Sequence, residues 1–120
     1  MTRGPVDRFQ RASYFLAFLP KTDSERQAVA GVLAIIRNVS VPFGVPYNED
    51  FDTYQTEYRT VMDLTSKRYF FELTTAPNVI WADLSGFSLT PGSPVMALDP
   101  DDVNLTGNIT KQFKEISAPY

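Results

Sequence analysis

The chain has 120 residues, enough for one small domain, and its hydrophobic content of 43% is ordinary for a globular protein. A net charge of −3 and a pI near 4.8 argue against nucleic-acid binding, because a phosphate-binding surface needs clustered lysine and arginine side chains. The sequence contains no cysteine and no histidine, so it cannot by itself build a disulfide, a zinc site, a cysteine nucleophile or a Ser-His-Asp triad.

The sequence predicts no membrane span, no cofactor and no metal site. No apolar run approaches the roughly 20 residues that a helix needs to cross a bilayer, and the N-terminal segment MTRGPVDRFQ lacks the apolar core of a signal peptide. The compartment stays open: the chain as written would be cytoplasmic, whereas a longer relative with its own leader would be periplasmic. The carboxylates of Glu49, Asp50 and Asp52 match no calcium-loop pattern, so we expect them to face solvent.

Two helices are predicted in the first third of the chain. Residues 6–19 carry many aromatic and aliphatic side chains, and Pro20 ends this segment because proline constrains the residue before it. So much apolar surface on one helix calls for neighbours on more than one side, which suggests that a neighbour is missing. Residues 22–37 form the second helix, in which Thr22 and Glu25 fit a capping box and Gly31 predicts close packing against another element.

Residues 56–84 predict antiparallel strands, preceded by an exposed loop at 48–55. Tyr69, Phe70 and Phe71 are apolar on both faces of the second strand, so we expect one apolar face of this sheet to lack a cover within the chain. Residues 85–120 are predicted to be mostly loop, with a short strand at 95–98 and a short helix at 111–116.

Three stretches, in this order and spacing, carry a family resemblance. The first is DRFQRAS at 7–13, the second is RNVSVPFG at 37–44 directly after the second predicted helix, and the third is the strand block at 58–83. Together they resemble the C-terminal third of the penicillin V acylase-like branch of the choloylglycine hydrolase family, in which the first stretch corresponds to a Ser-Arg-Phe-x-Arg-Ala segment. The resemblance covers about residues 6–113.

The resemblance implies an N-terminal nucleophile hydrolase with an αββα sandwich that cleaves linear amides, such as the side chain of penicillin V, conjugated bile acids or N-acyl homoserine lactones. It implies a nucleophile outside this chain, namely an N-terminal cysteine whose α-amine serves as base. Of the family's catalytic residues only a late arginine corresponds to a residue here, Arg8. Its implied role is electrostatic, because a fixed guanidinium near the nucleophile stabilises the thiolate and orients its neighbours. The other interpretation of Arg8 is an exposed helix arginine.

The expected fold class is therefore α+β: a partial αββα sandwich, with two N-terminal helices followed by an antiparallel hairpin or meander, as a single incomplete domain. Three functions remain open. The chain is an inactive C-terminal part of a linear amide hydrolase whose partner is the missing N-terminal half, and only the complete enzyme takes a small N-acyl amide substrate. Alternatively, it is a non-enzymatic acidic α+β interaction module that binds another chain or a second copy. The third is a standalone amidase with Thr2 as nucleophile, exposed by removal of Met1.

Overall fold

The computed structural model describes residues 4–44, 46–48, 51–53 and 55–118. The α+β fold class is confirmed, since two helices precede a set of mainly antiparallel strands. The helices are α1 (Pro5–Ala17) and α2 (Glu25–Asn38). The strands are β1 (Pro46–Asn48), β2 (Phe51–Thr53), β3 (Tyr58–Asp63), β4 (Arg68–Leu73), β5 (Val79–Asp83), β6 (Val95–Ala97), β7 (Gly107–Asn108) and β8 (Lys114–Ile116). Short 3₁₀ turns occur at Leu84–Gly86 and Thr110–Gln112.

The start of α2 differs from the prediction. Its N-cap is Ser24, whose hydroxyl accepts a hydrogen bond from the amide of Gln27 at 3.3 Å. Thr22 lies outside the helix, where its hydroxyl accepts from the amide of Ser24 and donates to the side chain of Gln27. The Ser/Thr-x-x-Glu/Gln pattern occurs twice here, and the extended backbone of Ser24 places the second copy at the cap. The capping box predicted for Thr22 and Glu25 is therefore wrong.

The chain divides into two compact units, residues 1–59 and 60–120. The first unit contains both helices, which pack on each other, and the β1–β2 pair. Val29 and Leu33 of α2 are its buried apolar residues in the described part. At Gly31 an added Cβ would lie 2.7 Å from Cδ1 of Leu19, so this glycine does mark a close approach.

The second unit is built on a four-stranded sheet with the order β3-β4-β5-β7. β4 and β5 are antiparallel, with Phe70 opposite Trp81 and Phe71 opposite Ile80, whereas β7 lies parallel to β5. The core on one side of β5 is formed by side chains that come from the sheet and from the C-terminal segments. These are Ile80, Ala82, Leu105 and Ile109, with Phe71, Phe87, Leu98 and Phe113 packed against them.

Two further predictions about individual segments are wrong. The segment 48–55 is not simply a loop, because β2 pairs with β1 in antiparallel register within it; Glu49 and Asp50 lie outside the described residues. The helix predicted at 111–116 is replaced by a 3₁₀ turn and β8, which pairs with β6. Phe113 sits between the two and packs edge-on against the ring of Phe87 at 4.9 Å, a tertiary contact that overrides a weak helical preference.

The aromatic strand β4 is unevenly covered. Phe70 is buried, whereas Tyr69 and Phe71 are half-buried. On the neighbouring strand β3, Val61 is buried but Met62 is 65% exposed. Apolar side chains of this sheet therefore remain accessible to a binding partner.

Candidate functional site

Arg8, to which the family resemblance assigns a role, lies on α1 and reaches the end of α2. Its Nε donates a hydrogen bond to the backbone carbonyl of Val39 at 2.8 Å, across 31 positions of sequence. Val39 is the C-cap of α2, where the unpaired carbonyls of a helix carry partial negative charge that favours a cation. Arg8 is half-buried, so its guanidinium is held in one place by protein groups instead of moving freely in water.

The carbonyl that holds Arg8 belongs to a strap, residues 39–41, which is fixed on both sides. The hydroxyl of Ser40 donates to a carbonyl in the last turn of α2 at 2.8 Å and accepts from Nε of Arg59 at 2.8 Å. The amide of Val41 donates to the hydroxyl of Thr56 at 2.9 Å, and the amide of Thr56 donates back to the carbonyl of Val41 at 3.1 Å. The strap is therefore tied to α2 at one end and to the chain before β3 at the other.

An open pocket of about 420 Å³ lies beside this strap, within the first unit. Its lining combines the Arg8 cation with polar groups and one aromatic ring: Arg8, Val41, Gln55, Thr56, Glu57 and Tyr58. Tyr58 is 58% exposed, so the pocket has a wide mouth. Among the described residues, the Arg8 side chain donates a hydrogen bond through Nε alone. The two terminal nitrogens of the guanidinium are therefore available to a group that enters the pocket.

Arg11 follows Arg8 by three positions and shares the less exposed side of α1. Its Nε is buried and has no hydrogen-bond partner in the part of the chain that the structure describes. A buried donor without a partner costs free energy, so an acceptor group that reached this N–H would be bound favourably. The 7–13 segment thus contributes two guanidinium groups to one side of α1.

A second polar cluster lies in the second unit, around Asp83 at the end of β5. Arg68 donates to Oδ1 of Asp83 at 2.6 Å, and Asn108 donates to Oδ2 at 2.8 Å. The hydroxyl of Thr110 accepts from the amide of Asp83 and donates to the side-chain oxygen of Asn108. The hydrogen bonds from Arg68 and then Asn108 lower the pKa of Asp83 below its usual 3.8. Its groups are paired with each other, so this cluster fastens β7 to β5.

The second unit also has an apolar pocket of about 270 Å³ against the sheet. Tyr69, Phe71, Trp81, Leu98 and Phe113 are among its lining residues. The described residues contain no cluster of three acidic side chains that would hold a metal ion. None of the described helices has the length and hydropathy of a membrane span.

Comparison with known proteins places the chain in a family. Residues 3–110 match the model of the linear amide C-N hydrolases, choloylglycine hydrolase family. The chain belongs to this family. It is 33% identical to penicillin V acylase of Pectobacterium atrosepticum over 111 aligned residues, which cover 82% of this chain and 30% of that protein. The structure of penicillin V acylase from Agrobacterium tumefaciens superposes with a TM-score of 0.82 at 33% identity, over 97% of this chain and 38% of that one. The chain therefore spans 30% and 38% of the lengths of these two relatives.

The family match includes both segments that form the Arg8 site. The 7–13 segment supplies the guanidinium, and the 37–44 segment supplies the Val39 carbonyl that accepts from it. These two stretches carried the resemblance in the sequence separately, and the fold brings them into contact. In a choloylglycine hydrolase chain this means that two characteristic segments form one structural feature.

The sequence predicts Arg8 as a site residue, which stays a prediction, but it does not indicate Thr56 or the Val39 carbonyl, which lie beside it. Thr56 was assigned only to the start of a predicted strand, yet its hydroxyl fixes the strap. A backbone carbonyl has no residue-type signal, so no sequence pattern could have indicated Val39. Thr2, the nucleophile of the standalone alternative, lies outside the described residues.

Proposed function

We propose that this chain supplies the C-terminal part of a linear amide hydrolase of the choloylglycine hydrolase family and is inactive alone. Two facts support this proposal: the chain has no cysteine, and it spans 30% of a penicillin V acylase. The nucleophile would come from the part of the fold that these residues do not span, as the family resemblance implies. The substrate would be a small N-acyl amide, with penicillin V as the first candidate because both relatives are penicillin V acylases.

The observation that carries the proposal is the fixed position of the Arg8 guanidinium at the edge of an open pocket. A cation held there stabilises a negatively charged group that lies opposite it in the pocket. Beside a cysteine nucleophile it favours the thiolate over the thiol and so lowers the thiol pKa. Because the Val39 carbonyl occupies Nε, the plane of the guanidinium is set and its terminal nitrogens can donate in a defined direction.

The test is reconstitution of hydrolysis. We define the acylase remainder as the part of the Pectobacterium atrosepticum penicillin V acylase that this chain does not span. We expect no hydrolysis of penicillin V by the chain alone and turnover when the chain is co-folded with the acylase remainder. Turnover by the chain alone that disappears in Thr2→Ala would instead establish the standalone amidase.

Within the active complex, Arg8→Ala should lower kcat by about 10²–10³-fold, as for removal of one catalytic electrostatic donor. Loss of the cation should raise the pKa of the thiol, so the acidic limb of the kcat/KM profile should move to higher pH.

Arg8→Lys should keep that limb closer to the parent because it keeps the charge, but should not restore kcat because it lacks the planar fork. Arg26→Ala, an exposed arginine of α2, is the matched control and should change neither. An unchanged kcat in Arg8→Ala would show that Arg8 has no part in the reaction.

The second candidate is a non-enzymatic interaction module. The exposed apolar side chains on β3 favour it, since Met62 is 65% and Tyr58 is 58% exposed. It predicts a stable complex with another chain and no hydrolysis of penicillin V or N-acyl homoserine lactones under any reconstitution. Binding of the acylase remainder without turnover would therefore support this candidate over the hydrolase.

A further inference from the structure

The outer side of α1 exposes large apolar side chains to water. We define the α1 outer face as Val6, Phe9, Tyr14, Leu16 and Phe18. Each of these side chains is at least 60% exposed. No residue of α1 is buried, although the helix carries three aromatic rings within its bounds. An apolar surface of this kind in a folded chain marks an interaction site or a missing neighbour.

The polarity of α1 is the reverse of the usual pattern for a surface helix. Its charged residues, Asp7, Arg8 and Arg11, are all half-buried, while its exposed positions carry no charge. A helix that faced water permanently would place its charges outward and its aromatic rings inward. The α1 outer face is therefore suited to burial.

The apolar arc on α1 is wider than one partner helix would cover. At 3.6 residues per turn, Phe9 and Leu16 lie close together on one flank, and Tyr14 and Phe18 lie on another flank, roughly 140° and roughly 180° from Phe9. The rings of Tyr14 and Phe18 pack on each other at 5.1 Å. A single contacting helix buries a seam much narrower than this, so two flanks call for a surface made of several elements.

We propose that the α1 outer face docks on the part of the family fold that this chain does not span. The share of the family fold that is missing points to this partner. The superposition covers 97% of this chain but only 38% of the Agrobacterium tumefaciens acylase. More than half of that acylase is polypeptide that this chain does not supply, which is long enough to form a surface of several elements. A second copy is the alternative occupant, and the oligomeric state of the chain alone tests it. The proposal rests on the proposed function for the identity of the partner, but it does not require catalysis.

The experiment uses the whole chain and the acylase remainder, purified separately and mixed. We expect a one-to-one complex by size-exclusion chromatography with light scattering, and slower amide hydrogen exchange in a peptide that covers α1. Leu16→Glu and Phe9→Glu, each of which places a carboxylate in the α1 outer face, should weaken the complex at least tenfold. Ala34→Glu introduces the same charge at an exposed position of α2 and should bind as the parent does.

The outcomes are distinct. Circular dichroism of each variant checks folding, and exposed positions are chosen so that the core is untouched. A complex that forms without protection of α1, or that tolerates both glutamate variants, would overturn the proposal. So would the absence of any complex, or a homodimer of the chain alone that Leu16→Glu dissociates, which would assign the face to a second copy. A complex that forms but hydrolyses neither penicillin V nor N-acyl homoserine lactones would support the docking face and count against the hydrolase.

Discussion

The side chain of Arg8 is held in position by a backbone group, which no pattern of residue types can indicate. Its place in the sequence was identified from the residues around it, but its acceptor is the backbone of Val39. Any residue type provides such a carbonyl, and the two residues lie 31 positions apart. The sequence can therefore single out Arg8 as a candidate, while the geometry of its guanidinium depends on how α1 and α2 pack.

Asp83 allows a prediction about pH at the same scale. Arg68→Met removes the strongest cause of its lowered pKa, so the pKa of Asp83 should rise toward 3.8. Asn108→Ala should shift it in the same direction by less, because the Asn108 hydrogen bond is the second cause. The measurement is an NMR titration of the Asp83 carboxyl carbon.

The sign of the stability effect follows from linkage. A depressed pKa in the folded state stabilises the fold above 3.8, the ordinary aspartate value, and this contribution disappears as the pH falls through the folded-state pKa. Arg68→Met should therefore destabilise the chain most at neutral pH, and its difference from the parent should shrink well below pH 3.8. Lys111→Met, which removes an exposed lysine, is the control. A difference that grows on acidification would contradict this account.

Among the elements, the strap at 39–41 links the end of α2 to the chain that enters β3. Thr56→Val keeps the size of the side chain but removes the acceptor of the Val41 amide. The loss should lower the free energy of unfolding by about 1–3 kcal/mol, the cost of a partly buried donor left unpaired. Urea denaturation measures it. In the reconstituted enzyme the same variant should reduce kcat more than it raises KM, because the strap positions Arg8.

Thr56→Ser is the matched control, since it retains the hydroxyl and loses only a methyl group. It should stay within about 1 kcal/mol of the parent, as one buried methylene-sized group is worth about 0.8 kcal/mol. If serine destabilises as much as valine, the methyl contact of Thr56 matters instead of its hydrogen bond with Val41.

The elements also show where local sequence signals are enough. β3, β4 and β5 were predicted as antiparallel strands from alternation and aromatic content, and the structure has them in that arrangement. The strand β8 was not, because its pairing with β6 joins Ala97 to Lys114 and depends on a loop between them. The observed N-cap of α2 differs from the predicted one because two overlapping capping patterns are present. The extended backbone of Ser24 makes that residue the N-cap. Long-range pairing and competition between equal local signals are thus the parts that sequence reasoning does not resolve.

At the scale of the whole molecule, few side chains of the described residues are fully buried. Among the described residues no large side chain is less than 2% exposed, and a single charged residue, Glu72, joins the short set of buried side chains. Large apolar side chains remain in water on α1 and on β3. Burial of these apolar groups would stabilise the folded chain by about 25 cal/mol per Å², and this contribution is absent while they face water.

The isolated chain should therefore be only marginally stable. We expect a free energy of unfolding below about 5 kcal/mol, the lower end of the range for native domains. A partner that binds only the folded state adds stability by mass action, about 2.7 kcal/mol when its free concentration is 100 times Kd. Urea titrations of the chain with and without the acylase remainder should show this increase for the parent and for Ala34→Glu, and an increase of at most about 1.4 kcal/mol for Leu16→Glu, whose Kd is at least tenfold higher. A free energy well above 5 kcal/mol for the chain alone, unchanged by the acylase remainder, would mean that the exposed faces of α1 and β3 need no cover.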